Sequence, residues 1–129
     1  MESFLSIFLI FAIISLTIFG WWYNSPKQKG KRGELEVAKI LREHGFDARR
    51  TAQFCGNTGD AADVVGLEGF HIEVKRAETT KIWDWIEQAE RDHKADTVPL
   101  VVFRKNGEKW KVALDFEEFL KIIGGNYGN

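Results

Sequence analysis

Residues 59–78 read GDAADVVGLEGFHIEVKRAE. Two short apolar runs, 62–67 and 70–76, are separated by Glu68 and Gly69, and into them are set Asp63, Glu73 and Lys75. In an extended strand residues i and i+2 share a face. Glu73 and Lys75 therefore project together, while Val74 turns the other way into a core. A hairpin joining the two runs brings Asp63 beside Glu73. Two carboxylates held close together repel, and a cation resolves the conflict. Mg²⁺ suits such a site, because it typically takes one or two carboxylates and keeps several waters. A metal held there can activate water and orient a phosphodiester. A lysine alongside can position the water or neutralise the phosphate. The plain alternative is a surface salt bridge on an edge strand, worth only ~0–1 kcal/mol. E-x-K alone is a weak signal; D-(x)9-E-x-K on adjacent strands, after an acid-bearing helix, is far more specific.

The surrounding pattern supplies elements to hold these groups. From residue 30 to residue 44, Leu35, Val37, Ala38, Ile40 and Leu41 fall at helical spacing, and Gly45 ends the helix. Residues 46–54, FDARRTAQF, alternate loosely as a strand with a basic middle, and residues 55–60, CGNTGD, form a loop. The hairpin follows. Residues 81–95 read as a helix with Thr79 or Thr80 as cap and Ile82, Trp85, Ile86 and Ala89 as its apolar face. Residues 99–104, PLVVFR, are continuously apolar, as in a central strand. Asn106-Gly107 marks a hairpin turn into a strand over 108–114, with Trp110 and Val112 on one face. Asp115 caps a last helix over 116–123. The order α-β-β-β-α-β-β-α predicts an α/β domain, a mixed sheet flanked by helices.

The 129 residues are 44% hydrophobic and 29% charged, a profile that excludes a disordered chain. Residues 4–23 carry no charge and end in Trp21, Trp22 and Tyr23. About 20 such residues span a bilayer, and aromatics belong at its interface. No basic residue precedes the run and no small-x-small cleavage site follows it, so an uncleaved anchor is expected rather than a signal peptide. Lys27, Lys29, Lys31 and Arg32 follow the span and only Glu2 precedes it, which places the C-terminal domain in the cytoplasm. The single cysteine, Cys55, fits a reducing compartment. The expected organisation is an anchor over 1–23, a polar linker over 24–29, one domain over 30–124 and a tail over 125–129. The net charge of −1 does not announce a nucleic-acid binder, but residues 27–50 hold eight Lys/Arg against four Asp/Glu. A local basic surface can bind phosphates without a basic total.

Residues 30–46 (GKRGELEVAKILREHGF), 61–66 (AADVVG), 71–76 (HIEVKR) and 85–92 (WIEQAERD) together resemble the PD-(D/E)xK nuclease superfamily, and within it the archaeal-type Holliday-junction resolvases. The resemblance runs over residues 30–112. It implies a small restriction-endonuclease-like core behind the transmembrane helix. The family's first-helix acid falls on Glu34, its hairpin aspartate on Asp63, its strand acid and lysine on Glu73 and Lys75, and its helix glutamine on Gln88. It further implies that Asp63, Glu73 and Glu34 hold Mg²⁺ or Mn²⁺, that Lys75 serves the nucleophilic water, and that a homodimer cuts paired strands of branched DNA. The membrane anchor is not part of the family's usual plan, and two departures lie within the domain. Ala62 replaces the usual proline before the aspartate, and CGNTGD replaces a serine-rich loop.

Each residue also has a plainer reading. Glu34 suits a first-turn acid favoured by the helix dipole. Gln88 suits a solvated helix face. His71 shares a face with Glu73, so it either touches the site or is simply half-buried. Trp83, Trp85 and Trp110 can stack on bases, but core or dimer packing is the simpler expectation. Lys31, Arg32, Arg49, Arg50, Arg76 and Lys81 are the candidate phosphate contacts. Two other functions compete with a junction-cutting endonuclease: a membrane-held restriction or nicking enzyme for linear DNA, and an inactive DNA-binding domain on the same fold.

Overall fold

A computed structural model describes residues 2–51 and 62–124. The chain forms two compact units, Met1–Arg32 and Gly33–Asn129.

The first unit holds α1, Glu2–Tyr23. It contains one stretch, Ser3–Tyr23, long and apolar enough to cross a membrane. Phe4, Phe8, Leu16 and Trp21 are all exposed along it. A second helix, α2, runs over Pro26–Glu43 and so starts within the segment expected as a linker. Ser25 and Pro26 explain the early start. Proline is favoured at the first helical position, where its missing N–H costs nothing. The Ser25 hydroxyl accepts from the Gln28 N–H at 3.5 Å, in the manner of a serine cap.

α2 ends at Glu43, and Gly45, with φ of 92° and a backbone bond to the Arg42 carbonyl, turns the chain out of the helix. The strands are β1 (Arg49–Arg50), β2 (Val64–Val65), β3 (Phe70–Arg76), β4 (Val98–Arg104) and β5 (Lys111–Ala113). They form one mixed sheet in the order β1-β2-β3-β4-β5. Among the described strands only β3 and β4 are parallel, in register Ile72↔Leu100 and Val74↔Val102. A parallel pair needs a crossover, and α3 (Ile82–Asp92) supplies it. Antiparallel β5 follows the turn at Gly107. The last helix, α4, is Phe116–Ile123, and Asp115 caps it through the N–H groups of Glu117 and Glu118. Element order and the bounds of β3 and α4 agree with expectation.

Several elements are shorter than the sequence pattern indicates. β1 covers two residues of the expected 46–54, of which 52–54 lie outside the described residues. The loop at 55–60, Cys55 and the tail at 125–129 also lie outside them. β2 is curtailed because Gly66, with φ 113°, turns the chain away. A Cβ there would collide with the backbone of Asp47 and Ala48. α3 begins at Ile82 without a threonine cap; Lys81 occupies the cap position and its side chain makes no capping bond.

The main core lies between α2 and one face of the sheet. Val37 and Ala38 pack with Ala48, Val64, Ile72, Val74, Leu100 and Val102. Gly33 allows the close approach: a Cβ there would stand 3.2 Å from the Arg76 Cβ and 3.4 Å from the Trp110 ring. On the opposite face α3 lays Ala89 over buried Val101, and Trp85 packs against Phe103 with centroids 5.9 Å apart. Lys75 and Glu73 share this second face, because they alternate with Val74 and Ile72.

Candidate active site

The β2–β3 ladder brings two acids together. Val64 pairs with Ile72, so the next step along the antiparallel ladder sets Asp63 against Glu73. The Asp63 N–H donates to the Ile72 carbonyl at 2.9 Å. The chain then opens, and the Asp63 carboxylate takes the following rung, its Oδ2 accepting from the Val74 N–H at 2.8 Å. Backbone thus ends where side-chain chemistry begins. Thr51 secures this corner. Its N–H donates to the Asp63 carbonyl at 3.0 Å, and its hydroxyl donates to the Ala62 carbonyl at 2.6 Å.

Glu73 is 2% exposed. His71 Nε2 meets its Oε1 at 3.1 Å, while Gln88 Nε2 from α3 donates to Oε2 at 3.4 Å. The Lys75 ammonium lies 3.8 Å from the same Oε2 and donates to Gln88 Oε1 at 2.8 Å. The orientation of the Gln88 amide follows from its neighbours. Lysine only donates and a carboxylate only accepts, so oxygen faces Lys75 and nitrogen faces Glu73. Gln88 therefore bridges the two residues rather than lying on a solvated helix face.

The electrostatics follow from crowding. The Asp63 carboxyl is pushed from 3.8 up to about 7, first by burial and then by the negative charge of Glu73. The Val74 N–H opposes the rise, Glu34 adds to it, and a hydrogen bond between the Asp63 and Glu73 carboxyls adds to it again. Near neutral pH, then, Asp63 half-retains a proton that a nearby cation would displace.

The charge of Glu34 reaches Asp63, but its carboxylate is engaged elsewhere. It is 7% exposed on α2 and ion-pairs with the Nε of Arg50 on β1. A buried carboxylate takes the nearest donor able to satisfy it, and here that donor is a guanidinium. The first-turn explanation for Glu34 also fails, because α2 begins eight residues earlier, at Pro26. Glu34 sits in the helix interior, so its burial has no capping purpose.

The six candidate phosphate contacts differ in their immediate surroundings. Arg50 is engaged by Glu34. Arg76 does not flank the acids: it follows Lys75 and so points to the other face of β3, where Glu36 binds it at 3.3 Å and Arg104 at 2.7 Å. Arg32 donates to the Tyr23 carbonyl and stacks over the Tyr23 ring, 3.9 Å from its centroid. Lys31, Arg49 and Lys81 are exposed. Among the tryptophans, Trp85 and Trp110 are packed, and Trp83 is 76% exposed.

Of the two further residues at this corner, sequence reasoning had offered His71 a contact with the site and had given Thr51 no role. His71 is buried rather than half-buried, and its alternation with Glu73 was the available signal. Thr51 carried no signal, since its bonds cross 11 or 12 positions to a strand whose register was unknown.

The donor set fits a hard divalent cation. Asp63 and Glu73 present oxygens, the Asp63 carboxyl being raised to about 7 by burial and by the charge of Glu73, and Mg²⁺ typically needs only one or two carboxylates. Glu34 would have to leave Arg50 to become a third donor. Among the described residues, no three His, Cys, Asp or Glu are gathered to hold a metal.

The family model described as "Phage putative PDDEXK endonuclease" matches residues 25–126. No curated protein and no solved structure matches the chain.

Proposed function

The chain belongs to the PDDEXK endonuclease family, and from that footing we propose that it hydrolyses DNA phosphodiesters at a divalent-cation site built on Asp63 and Glu73. Nucleases of this family use divalent metal ions. The observation that carries the reading is the buried carboxyl pair, opposed across β2 and β3 with Lys75 and Gln88 beside it. Mg²⁺ is the ion we assign, with Mn²⁺ as a substitute, and Glu34 as an additional donor when Arg50 releases it. When bound, such an ion supplies a lowered water pKa and charge neutralisation at the phosphate.

The chain's own residues do the rest. Asp63 and Glu73 would hold such an ion through their carboxylate oxygens, the proton between them passing to solvent. Lys75, held at 2.8 Å by Gln88, keeps an ammonium where an attacking water or a phosphate oxygen would lie. Gln88 fixes Lys75 and Glu73 in one geometry. Arg50, once free of Glu34, offers a bidentate donor to the DNA backbone, a contact that positions the duplex without reading its sequence. Lys31, Arg49 and Lys81 are further candidates for such contacts.

We assign branched DNA as the preferred substrate, on the order and spacing of the four sequence blocks, and a homodimer as the form that cuts two strands together. We also assign α1 as a membrane anchor with the nuclease domain on the cytoplasmic side, supported by the basic residues that follow it. The test uses the full chain in a neutral detergent with Mg²⁺. A labelled four-way junction and a linear duplex of matched sequence are compared, with Asp63→Ala and a chelator as controls. Paired nicks in the junction alone support the whole reading. Cleavage of both substrates keeps the site and makes the enzyme a general nuclease. Binding without cleavage, in a folded protein, overturns catalysis.

A further inference from the structure

The proposed chemistry uses every polar group around Glu73 except His71. That side chain is 5% exposed, near the start of β3, two residues before Glu73 and on the same face. A polar ring buried so fully costs free energy unless it is hydrogen-bonded, and its Nε2 lies 3.1 Å from Glu73 Oε1. The two Glu73 oxygens are therefore held by different elements: Oε1 by His71 within β3, and Oε2 by Gln88 from α3.

We infer that His71 is a positioning residue that locks the Glu73 carboxylate in its metal-ready orientation; this rests on the cation-site reading given above. A glutamate has three side-chain torsions to restrain, and a single donor leaves its carboxylate free to pivot. Donors on both oxygens remove that pivot. Each oxygen keeps lone-pair capacity, since an ionised carboxylate offers about four acceptor positions. His71 acts through Glu73 and not as a ligand, because its Nε2 faces the carboxylate. Nε2 must then carry the proton, as a carboxylate can only accept. Partners that orient a ligand in this way typically matter about 10- to 100-fold in metal affinity.

The experiment measures Mn²⁺ binding by calorimetry, without DNA, on the full chain in neutral detergent. Wild type is compared with His71→Phe, which keeps the ring volume and loses the donor, and with His71→Gln, whose amide restores an N–H. His71→Phe is expected to bind Mn²⁺ about 10- to 100-fold more weakly, with His71→Gln recovering at least about tenfold of any larger loss. Ring-nitrogen NMR of the wild-type chain is the second measurement, and it does not depend on a variant folding: the proton is expected on His71 Nε2. A bare Nε2, wild-type affinity in His71→Phe, or a folded His71→Gln as weak as His71→Phe would each overturn the inference. A wild-type chain that binds no Mn²⁺ overturns the cation site itself and this inference with it. A wild-type chain that binds normally while His71→Phe is unaffected overturns the role of His71 alone.

Discussion

Replacing Asp63 with asparagine should make the metal-free protein more stable while destroying its activity. Asparagine keeps an acceptor for the Val74 N–H and imitates the protonated acid beside Glu73. The Asp63 carboxyl sits at about 7 in the folded chain against 3.8 as its ordinary value. Below pH ~4 it is protonated in folded and unfolded chains alike, so the wild type bears no penalty there. Between pH ~4 and ~7 the unfolded chain releases the proton while the folded chain holds it, and stability falls as pH rises. Above pH ~7 the penalty is complete. About three pH units at 1.36 kcal/mol each correspond to ~4 kcal/mol, which the partial solvent contact of Asp63 reduces to ~1–3 kcal/mol. The assay is urea unfolding of the full chain in neutral detergent with a chelator, followed by the fluorescence of Trp85 and Trp110. Asp63→Asn should exceed wild type by that margin at pH 8 and match it near pH 4. Saturating Mg²⁺ should close the gap by binding the native wild-type site. An asparagine variant that is less stable at pH 8, or whose advantage does not change with pH, would refute the reasoning.

Other perturbations follow from the same geometry. Arg50→Gln leaves Glu34 buried without its cation, so the metal-free protein should lose ~1–3 kcal/mol, and Mg²⁺ should recover part of the loss in the same urea assay. Thr51→Val removes the hydroxyl bonds to the Ala62 and Asp63 carbonyls; a loss of ~1–2 kcal/mol is expected, together with weaker Mn²⁺ binding by calorimetry. Lys75→Met should leave Mn²⁺ affinity near that of wild type and slow single-turnover cleavage by ~10²-fold or more. Gly33→Val should be strongly destabilising, because the helix already stands 3.2 Å from Arg76 at the Cβ position, and thermal unfolding would show it.

Much of the site was legible because strand periodicity is rigid. The alternation of Ile72, Glu73, Val74 and Lys75 assigns two residues to the core face and two to the face of the candidate site without further information, and the short turn before Phe70 leaves little freedom in where Asp63 can fall. The same rule, applied one residue further, would have put Arg76 on the far face with Val74. Its position beside Lys75 in the chain suggested a proximity that the pleat forbids. The start of α2 was missed because its first turns carry Lys27, Lys29, Lys31 and Arg32 and lack the apolar spacing of the later turns. The Ser25-Pro26 pair was the available signal. The capture of Glu34 by Arg50 joins residues 16 apart through tertiary packing, and no local pattern encodes it. The contrast between exposed Trp83 and packed Trp85 follows from helical spacing, which gave only Trp85 to the apolar face.

The central claim is that Asp63, Glu73 and Lys75 form a metal-dependent hydrolytic centre. Its most direct test is single-turnover DNA cleavage by the full chain across a Mg²⁺ titration, comparing wild type with Asp63→Asn and Glu73→Gln. Wild type should show saturable, Mg²⁺-dependent strand cleavage, and neither folded variant should show any. Cleavage that persists in both variants, or a wild type that binds DNA and Mg²⁺ and leaves every strand intact, would contradict it.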